Sequence, residues 1–373
     1  MDTKFKSLLS LDIQMFAGNP SEALFYEVMS ARAIGEVVDR QDPDMYEPYL
    51  GDALFPRTKI DGLELSYIKD TRGVPMVLKP SQFDVATPIR DRVAVEALST
   101  DMPFFKEGMI IGEKERQELF NAMTRIGNQA YQRILARIYN DQLTLVEAAD
   151  AQTERLRMQA LTTGKINIVA NGEYLEYDYG VPANQVHTVA VGDQWDNPDA
   201  DLLKTVDLAK RTVRNATGVK IEYMLMNSMT LDKMLMNKQM KKLINPDAPD
   251  IPVILDSEFR RVFRTYTGIE IITYDKMYRD EEGVMHAYIP EGVVTFIPRG
   301  DLGNTNYGTT PEEFDLMNSS NHRADVSIVR VGVAIKSWKQ EDPVNSKTVV
   351  SQIVMPSFEQ ASHVFIANVY PTP

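Results

Sequence analysis

Four histidines and no cysteine set the limits on what chemistry this chain can carry. His187, His286, His322 and His363 lie far apart and share no ligand spacing, so a metal site would need distant assembly. Without a thiol, disulfides, zinc–thiolate sites and cysteine nucleophiles are excluded. Thr163-Gly164-Lys165 matches the end of a phosphate loop, but the earlier glycine is missing and Ile166 stands where Ser or Thr is required. No Gly-x-Ser-x-Gly elbow, His-Glu-x-x-His pair or dinucleotide fingerprint occurs. Asp280, Glu281 and Glu282 form an acidic run, yet with Gly283 they read as a hairpin turn, where acids are common and solvated. The expectation is no catalytic residue, no cofactor and no metal, in a chain that is not an enzyme.

The bulk properties point the same way. A length of 373 residues accommodates two domains, or one domain with large extensions. A net charge of −13 argues against a protein that grips nucleic acid over a broad surface, since that needs Lys and Arg to displace counterions. It suits a wall that surrounds nucleic acid without sticking to it. No apolar run is long enough to span a membrane, and Asp12 and Gln14 interrupt the one stretch resembling a secretory signal. The run Met224, Met226, Met229, Met234, Met236 and Met240 fits either an adaptable core or a surface that repacks against several partners. Trp195 and Trp338 read as packing residues.

The elements that would have to position any site begin after a mixed stretch, residues 1–18. Asn19-Pro20 reads as a helix start, and Leu24, Phe25, Val28 and Val38 give that helix an apolar face. Gln41 to Pro56 reads as an exposed crossing segment. Leu63, Leu65 and Tyr67 alternate with Glu64 and Ser66 as in a half-exposed strand, with a return strand expected at Val74–Lys79. Pro75, Pro80 and Pro88 argue against a central sheet position there. Such a polar hairpin has few core residues and needs something to lie against.

A helical region is expected from about Glu113 to Thr162, with a break near Gly127 or at Asn140-Asp141, an apolar stripe and a solvated polar face. Lys165–Val169 and Tyr174–Tyr179 form a hairpin around Asn171-Gly172. A helix over Ala200–Ala216 ends at Gly218. Beyond it lie a strand at Val219–Leu225, a helix from Ser228 to Leu243, another near Ser257–Thr265 and a strand at Ile269–Tyr274. The tail is all strand, with Val329, Val331, Val333 and Ile335 alternating, then Thr348–Met355 and Val364–Val369.

Several segments together resemble the lambda-type phage major capsid protein E family. Leu54-Phe55-Pro56 followed by Lys59-Ile60-Asp61-Gly62-Leu63-Glu64-Leu65 is similar to the family's lead-in to its extended loop. Arg155-Leu156-Arg157-Met158-Gln159-Ala160-Leu161-Thr162-Thr163-Gly164-Lys165, with the Gly172-Glu173 turn, is similar to its helix-to-hairpin junction. Trp195-Asp196, Tyr288-Ile289-Pro290-Glu291-Gly292 and the opening Leu11-Asp12-Ile13-Gln14-Met15-Phe16-Ala17 are similar too.

The resemblance implies an α+β fold, the tailed-phage major capsid (Johnson) fold. It has an N-terminal arm (1–50), an extended loop (51–110) and a peripheral domain with a spine helix and hairpin (111–218). An axial domain (219–320) and C-terminal strands returning to both domains (321–373) complete it. It further implies a shell subunit that meets copies of itself as hexamers and pentamers around double-stranded DNA. A separate scaffolding protein, a portal protein and a decoration protein are the implied partners. The virion is the implied location, after assembly in the bacterial cytoplasm. Arg57, Lys59, Arg72, Lys79, Arg90 and Arg92 are the candidates for inter-subunit contact. An encapsulin-like compartment shell, a phage tail or neck subunit, and a soluble α/β enzyme are the competing readings.

Overall fold

The computed structural model describes residues 30–39, 48–69, 97–118, 128–170, 173–244, 255–318 and 325–371. The first half of the chain supplies α1 (Ala31–Asp39), α2 (Leu50–Leu54), β1 (Arg57–Lys59), β2 (Glu64–Ile68), β3 (Ala97–Asp101), β4 (Phe104–Ile111), α3 (Asn128–Thr163), β5 (Lys165–Ala170) and β6 (Glu173–Asp178). There follow β7 (Val186–Thr188), α4 (Leu202–Thr217), β8 (Tyr223–Met226), α5 (Ser228–Met236), α6 (Lys238–Ile244), α7 (Asp256–Thr267), β9 (Glu270–Thr273), β10 (Met277–Arg279), β11 (Met285–Ala287) and β12 (Val293–Ile297). The chain closes with β13 (Thr305–Tyr307), α8 (Pro311–Asn318), β14 (Asp325–Val329), β15 (Val333–Glu341), β16 (Val344–Pro356) and β17 (Phe365–Asn368).

Among the described residues the strands make two larger sheets. One has the order β1-β13-β16-β15-β14, with β4 also paired to β16. The thirteen-residue β16 is its backbone: β4 runs along one edge, while β15 and β13 lie end to end along the other. Helix α3 crosses one face, where Gln142 donates to Thr348 and Gln352 donates to the Ala149 carbonyl. The second sheet has the order β7-β17-β12-β8-β9. It carries a separate apolar core with α4, α5, α6 and α7, built on Trp195, Val206, Met224, Met234, Phe259, Phe263 and Phe365. That core draws on residues 189–213 as well as on the stretch from 219 onward, because α4 lays Leu202, Val206, Ala209 and Val213 onto it.

Local chemistry explains the clearest elements. Asp201 caps the start of α4 by accepting from the Lys204 amide, and Gly218 ends it at φ 77°, a left-handed value only glycine adopts without cost. Strands β5 and β6 pair antiparallel from Lys165–Asp178 to Ala170–Glu173, as the hairpin reading expects, while Asn171-Gly172 lie outside the described residues. Gly164, at φ 72°, ends α3, which is the structural use of the Thr-Gly-Lys triplet. Of the methionine run, Met224, Met226, Met234 and Met240 are buried, while Met229 and Met236 face outward.

Five expectations need correction. Helix α3 runs unbroken through Asn140-Asp141, and tertiary packing against β16 overrides the local turn preference. Its polar face is not solvated: Asp150, Glu154 and Arg157 are buried. The described part of the crossing segment is not exposed, since Gly51 is buried and Phe55 packs edge-on against Phe358 at 5.6 Å between ring centres. The helix expected over 228–243 is two helices, because the Asn237 side chain accepts from the Gln239 and Met240 amides and restarts the helix. Finally, Val329 to Ile335 is not one strand. Arg330 (φ 47°) and Val331 (φ 77°) turn the chain, and Val329 pairs with Val333 across that turn.

Other expectations hold or fall elsewhere. Strand β2 alternates as expected, with Leu65 and Tyr67 buried. Its partner among the described residues is β3, which the sequence did not announce. Val74–Lys79, the helix start at Asn19-Pro20, Gly127 and His322 lie outside the described residues.

Candidate assembly site at the root of the loop

The β2–β3 hairpin leaves the body where α2 and β1 meet α3, and the residues there form a charged cluster. Helix α3, 36 residues and about 54 Å long, presents Asp150, Glu154 and Arg157 at helical spacing on one face. Arg157 is fully buried. Its Nε donates to Thr305 Oγ1 at 2.8 Å, its Nη2 stands 2.8 Å from Asp52 Oδ1, and its Nη1 lies 3.4 Å from Glu154 Oε2. Thr305 in turn donates to the Phe55 carbonyl at 2.8 Å.

Glu154, also fully buried, accepts from the Gly51 amide at 3.0 Å and from the Tyr274 hydroxyl at 2.8 Å. Gly51 is required here. A Cβ at that position would sit 2.3 Å from Glu154 Oε2 and 2.5 Å from Arg157 Cδ. Arg57 grips Asp52 with two parallel bonds of 2.8 and 3.1 Å, and its remaining nitrogen donates to Asp150 Oδ1 at 3.1 Å. Arg330, from the β14–β15 turn, closes on the other Asp150 oxygen. Three carboxylates thus meet three guanidinium groups.

The titration directions reflect that balance. Burial pushes Asp150 and Glu154 above the usual carboxylate range, and the neighbouring guanidinium groups only partly offset it. Burial also acts on Asp52, but there the bonds and charges of Arg57 and Arg157 outweigh it and hold the carboxyl below its ordinary value. Burial would lower the Arg57 guanidinium, yet Asp52, Tyr307 and Asp150 raise it further. The Tyr274 hydroxyl is pushed well up by burial and by the Glu154 charge it donates to. Every charge is met by an opposite one, so the cluster fixes geometry instead of poising a proton for transfer.

Beside it lies a second set of pairs. Lys59 stands 2.5 Å from Glu313 and donates to the Gly308 carbonyl at 2.9 Å. Lys106 stands 2.6 Å from Glu312, which also accepts from Ser351 Oγ at 2.8 Å. The loop root is thereby tied to α3, β13, β16, α8 and the β14–β15 turn.

Of the six residues singled out for inter-subunit contact, Arg57 and Lys59 are therefore engaged within the chain. Arg72, Lys79, Arg90 and Arg92 lie outside the described residues. Sequence reading missed Asp52, Asp150, Glu154, Arg157 and Arg330. One signal was present: Asp150, Glu154 and Arg157 continue at helical spacing to the buried Leu161.

The acidic turn expected between β10 and β11 is present. Asp280 accepts from the Glu282 and Val284 amides and lies 2.7 Å from His286 Nε2, which together hold its carboxyl below the usual range. Among the described residues no group of three or more His, Cys, Asp or Glu is placed to hold a metal ion. A polar cleft is lined by Lys220, Glu222, Tyr223, Arg264, Glu270 and Arg299, where Lys220 pairs with Glu222 and Arg264 with Glu270. None of the described helices is long and apolar enough to cross a membrane.

A family model for the phage major capsid protein E matches residues 30–369, nearly the whole described chain. The chain belongs to the phage major capsid protein E family. Its fold is similar to that of a prophage protein of E. coli CFT073 described as a capsid protein. That match has a TM-score of 0.57 at 15% identity and covers 91% of this chain and 99% of the other. A phage-related protein of Bordetella bronchiseptica RB50 matches with a TM-score of 0.50 at 9% identity, over 91% and 97% of the two chains. The capsid of cyanophage A-1(L) matches with a TM-score of 0.50 at 12% identity, over 86% and 92%. At such identities the likeness concerns the fold, which is the mixed α+β fold of tailed-phage capsid proteins. This capsid subunit is a structural protein of a phage shell.

Proposed function

We propose that the capsid subunit closes with copies of itself, as hexamers and pentamers, into the icosahedral head that encloses double-stranded phage DNA. Support comes above all from the buried charge cluster, which anchors a hairpin with little core of its own to the long helix α3. A hairpin fixed in this way, with Leu65 and Tyr67 buried against the body, suits the base of a loop that lies over a neighbouring subunit. On this reading residues 1–50 act as the arm, 51–110 as the extended loop, 111–218 as the peripheral domain, 219–320 as the axial domain and 321–373 as returning strands. Arg57 and Lys59 set the loop's root, and Arg72, Lys79, Arg90 and Arg92 meet acidic surface on the neighbour. The net charge of −13 suits an inner wall that does not hold DNA tightly. Scaffolding, portal and decoration proteins complete the assembly in the bacterial cytoplasm, and the subunit carries no enzymatic activity.

Electron microscopy of the purified chain, alone and with a scaffolding protein, tests this. Closed shells, or six- and fivefold capsomers, are expected, and a chain deleted for residues 62–80 is expected to lose them. Monodisperse monomers or dimers under both conditions, at high protein concentration, would overturn the reading.

A further inference from the structure

Strand β9 ends the five-stranded sheet and pairs with β8 alone among the described residues. The stretch around it, Ile269-Glu270-Ile271-Ile272-Thr273-Tyr274, is rich in β-branched residues and holds one charge and no proline. A window of that kind on a sheet edge is a template for pairing with another chain. Its two faces are already covered. Ile269 and Ile271 are buried in the core beneath α7, and Ile272 packs against the core around α3. What β9 has left to offer is its edge.

The hydrogen-bond pattern tells which groups stand there. The Glu270 amide donates to the Glu222 carbonyl and the Tyr274 amide to the Met226 carbonyl, so Glu270, Ile272 and Tyr274 turn their backbone groups to β8. By the alternation of a strand, the amides and carbonyls of Ile271 and Thr273 face the other way. Arg260, on α7, occupies this side. Its Nη1 donates to the Ile271 carbonyl at 2.8 Å, and its Nη2 to Thr273 Oγ1 at 3.2 Å. Its Nε donates to both oxygens of Asp256, four residues earlier on the helix, at 2.8 and 2.9 Å. One guanidinium thus spans two successive outward positions of β9 and is held in place by a carboxylate. A strand adding to β9 needs the Ile271 carbonyl, and Arg260 already has it. Arg264, the next turn on, reaches β9 differently, through the Glu270 side chain at 3.0 Å.

We propose that Arg260 closes the β9 edge and so keeps unassembled subunits from joining strand to strand. The inference does not depend on the shell reading, because it concerns the folded chain before any assembly.

Arg260→Met keeps a long side chain and removes its donors. Full-length chains are compared by light scattering and thioflavin T fluorescence, below the concentration at which particles form. Arg260→Met is expected to form thioflavin-positive aggregates about tenfold faster than the wild type. Arg264→Met, which also loosens α7 from β9 but frees no edge carbonyl, is expected to match the wild type. The Thr273 amide faces outward, so a proline there obstructs an added strand without breaking the ladder to β8. Adding Thr273→Pro to Arg260→Met is therefore expected to bring aggregation back near the wild-type rate. Three results would overturn the proposal: Arg260→Met as soluble as the wild type, Arg264→Met aggregating as fast, or aggregation that Thr273→Pro does not relieve. An Arg260→Met chain that aggregates because it unfolds gives the third result, since a proline on the edge does not restore a lost fold.

Discussion

The two cores of the subunit are built on different principles. Around the five-stranded sheet the buried core side chains are apolar, among them Met, Phe, Val, Leu and Ile, with the neutral Asn227 and Asn237 serving as caps. Around α3 and the six-stranded sheet, the interior also holds Asp150, Glu154 and Arg157. An apolar core is forgiving, because side chains of similar volume replace one another at small cost. A buried ion cluster is not, since removing one member strands the others without solvent. The subunit therefore places tolerance where mass must be filled and exactness where the loop's departure angle is set.

Breaking the cluster should have the largest effect. Arg157→Met leaves Glu154 short of a partner and is expected to cost about 3–5 kcal/mol of stability by chemical denaturation. If it costs less than Phe263→Leu in the other core, the contrast between the two regions collapses. Gly51→Ala pushes a methyl into Glu154 and Arg157 and is expected to cost about 1–3 kcal/mol, with assembly impaired as the loop root shifts. Met234→Leu, in the apolar core, is expected to stay below about 1.5 kcal/mol and to leave assembly intact.

Acid sharpens the same contrast. Asp52 is held below its ordinary value of 3.8, so its contribution is present above that pH and is lost as the pH falls through its folded value. Asp150 and Glu154 have the opposite sign. Held above 3.8 and 4.5, they let the folded chain bind more protons, so stability rises as the pH falls toward those values. Stability measured from neutral pH downward should therefore be maintained or rise at first and then drop below about pH 4. In Asp52→Asn the final drop should be shallower. The smallest effect is expected at Val331, a β-branched residue at φ 77°. Val331→Gly should gain about 1 kcal/mol if that strain outweighs the added freedom of the unfolded chain.

What could be read from the sequence follows from distance along the chain. The β5–β6 hairpin was legible because its two strands lie next to each other in the sequence, and α4 because Gly218 acts on its immediate neighbours. The charges at Arg57 and Lys59 were visible, but their partners were not. Asp150 lies 93 residues from Arg57 and 180 from Arg330, and nothing local announces either pairing. Val331 misled for a related reason. Its alternation with Val329 and Val333 is a true strand pattern, overridden where Arg330 reaches Asp150 and Gly332 closes against Tyr307, leaving no room there for a side chain.

The seating of the loop's two tethers on β16 has a mechanical consequence. The hairpin is tethered through β1, which pairs with β13, and through β3, which feeds directly into β4. The two tethers end on opposite edges of one long strand. A pull on the hairpin along β4 loads its eight-residue ladder in shear, with the cross-strand hydrogen bonds resisting together instead of opening one at a time. Tension borne by the loop would thus reach β16, and through it β15, before any single bond had to yield.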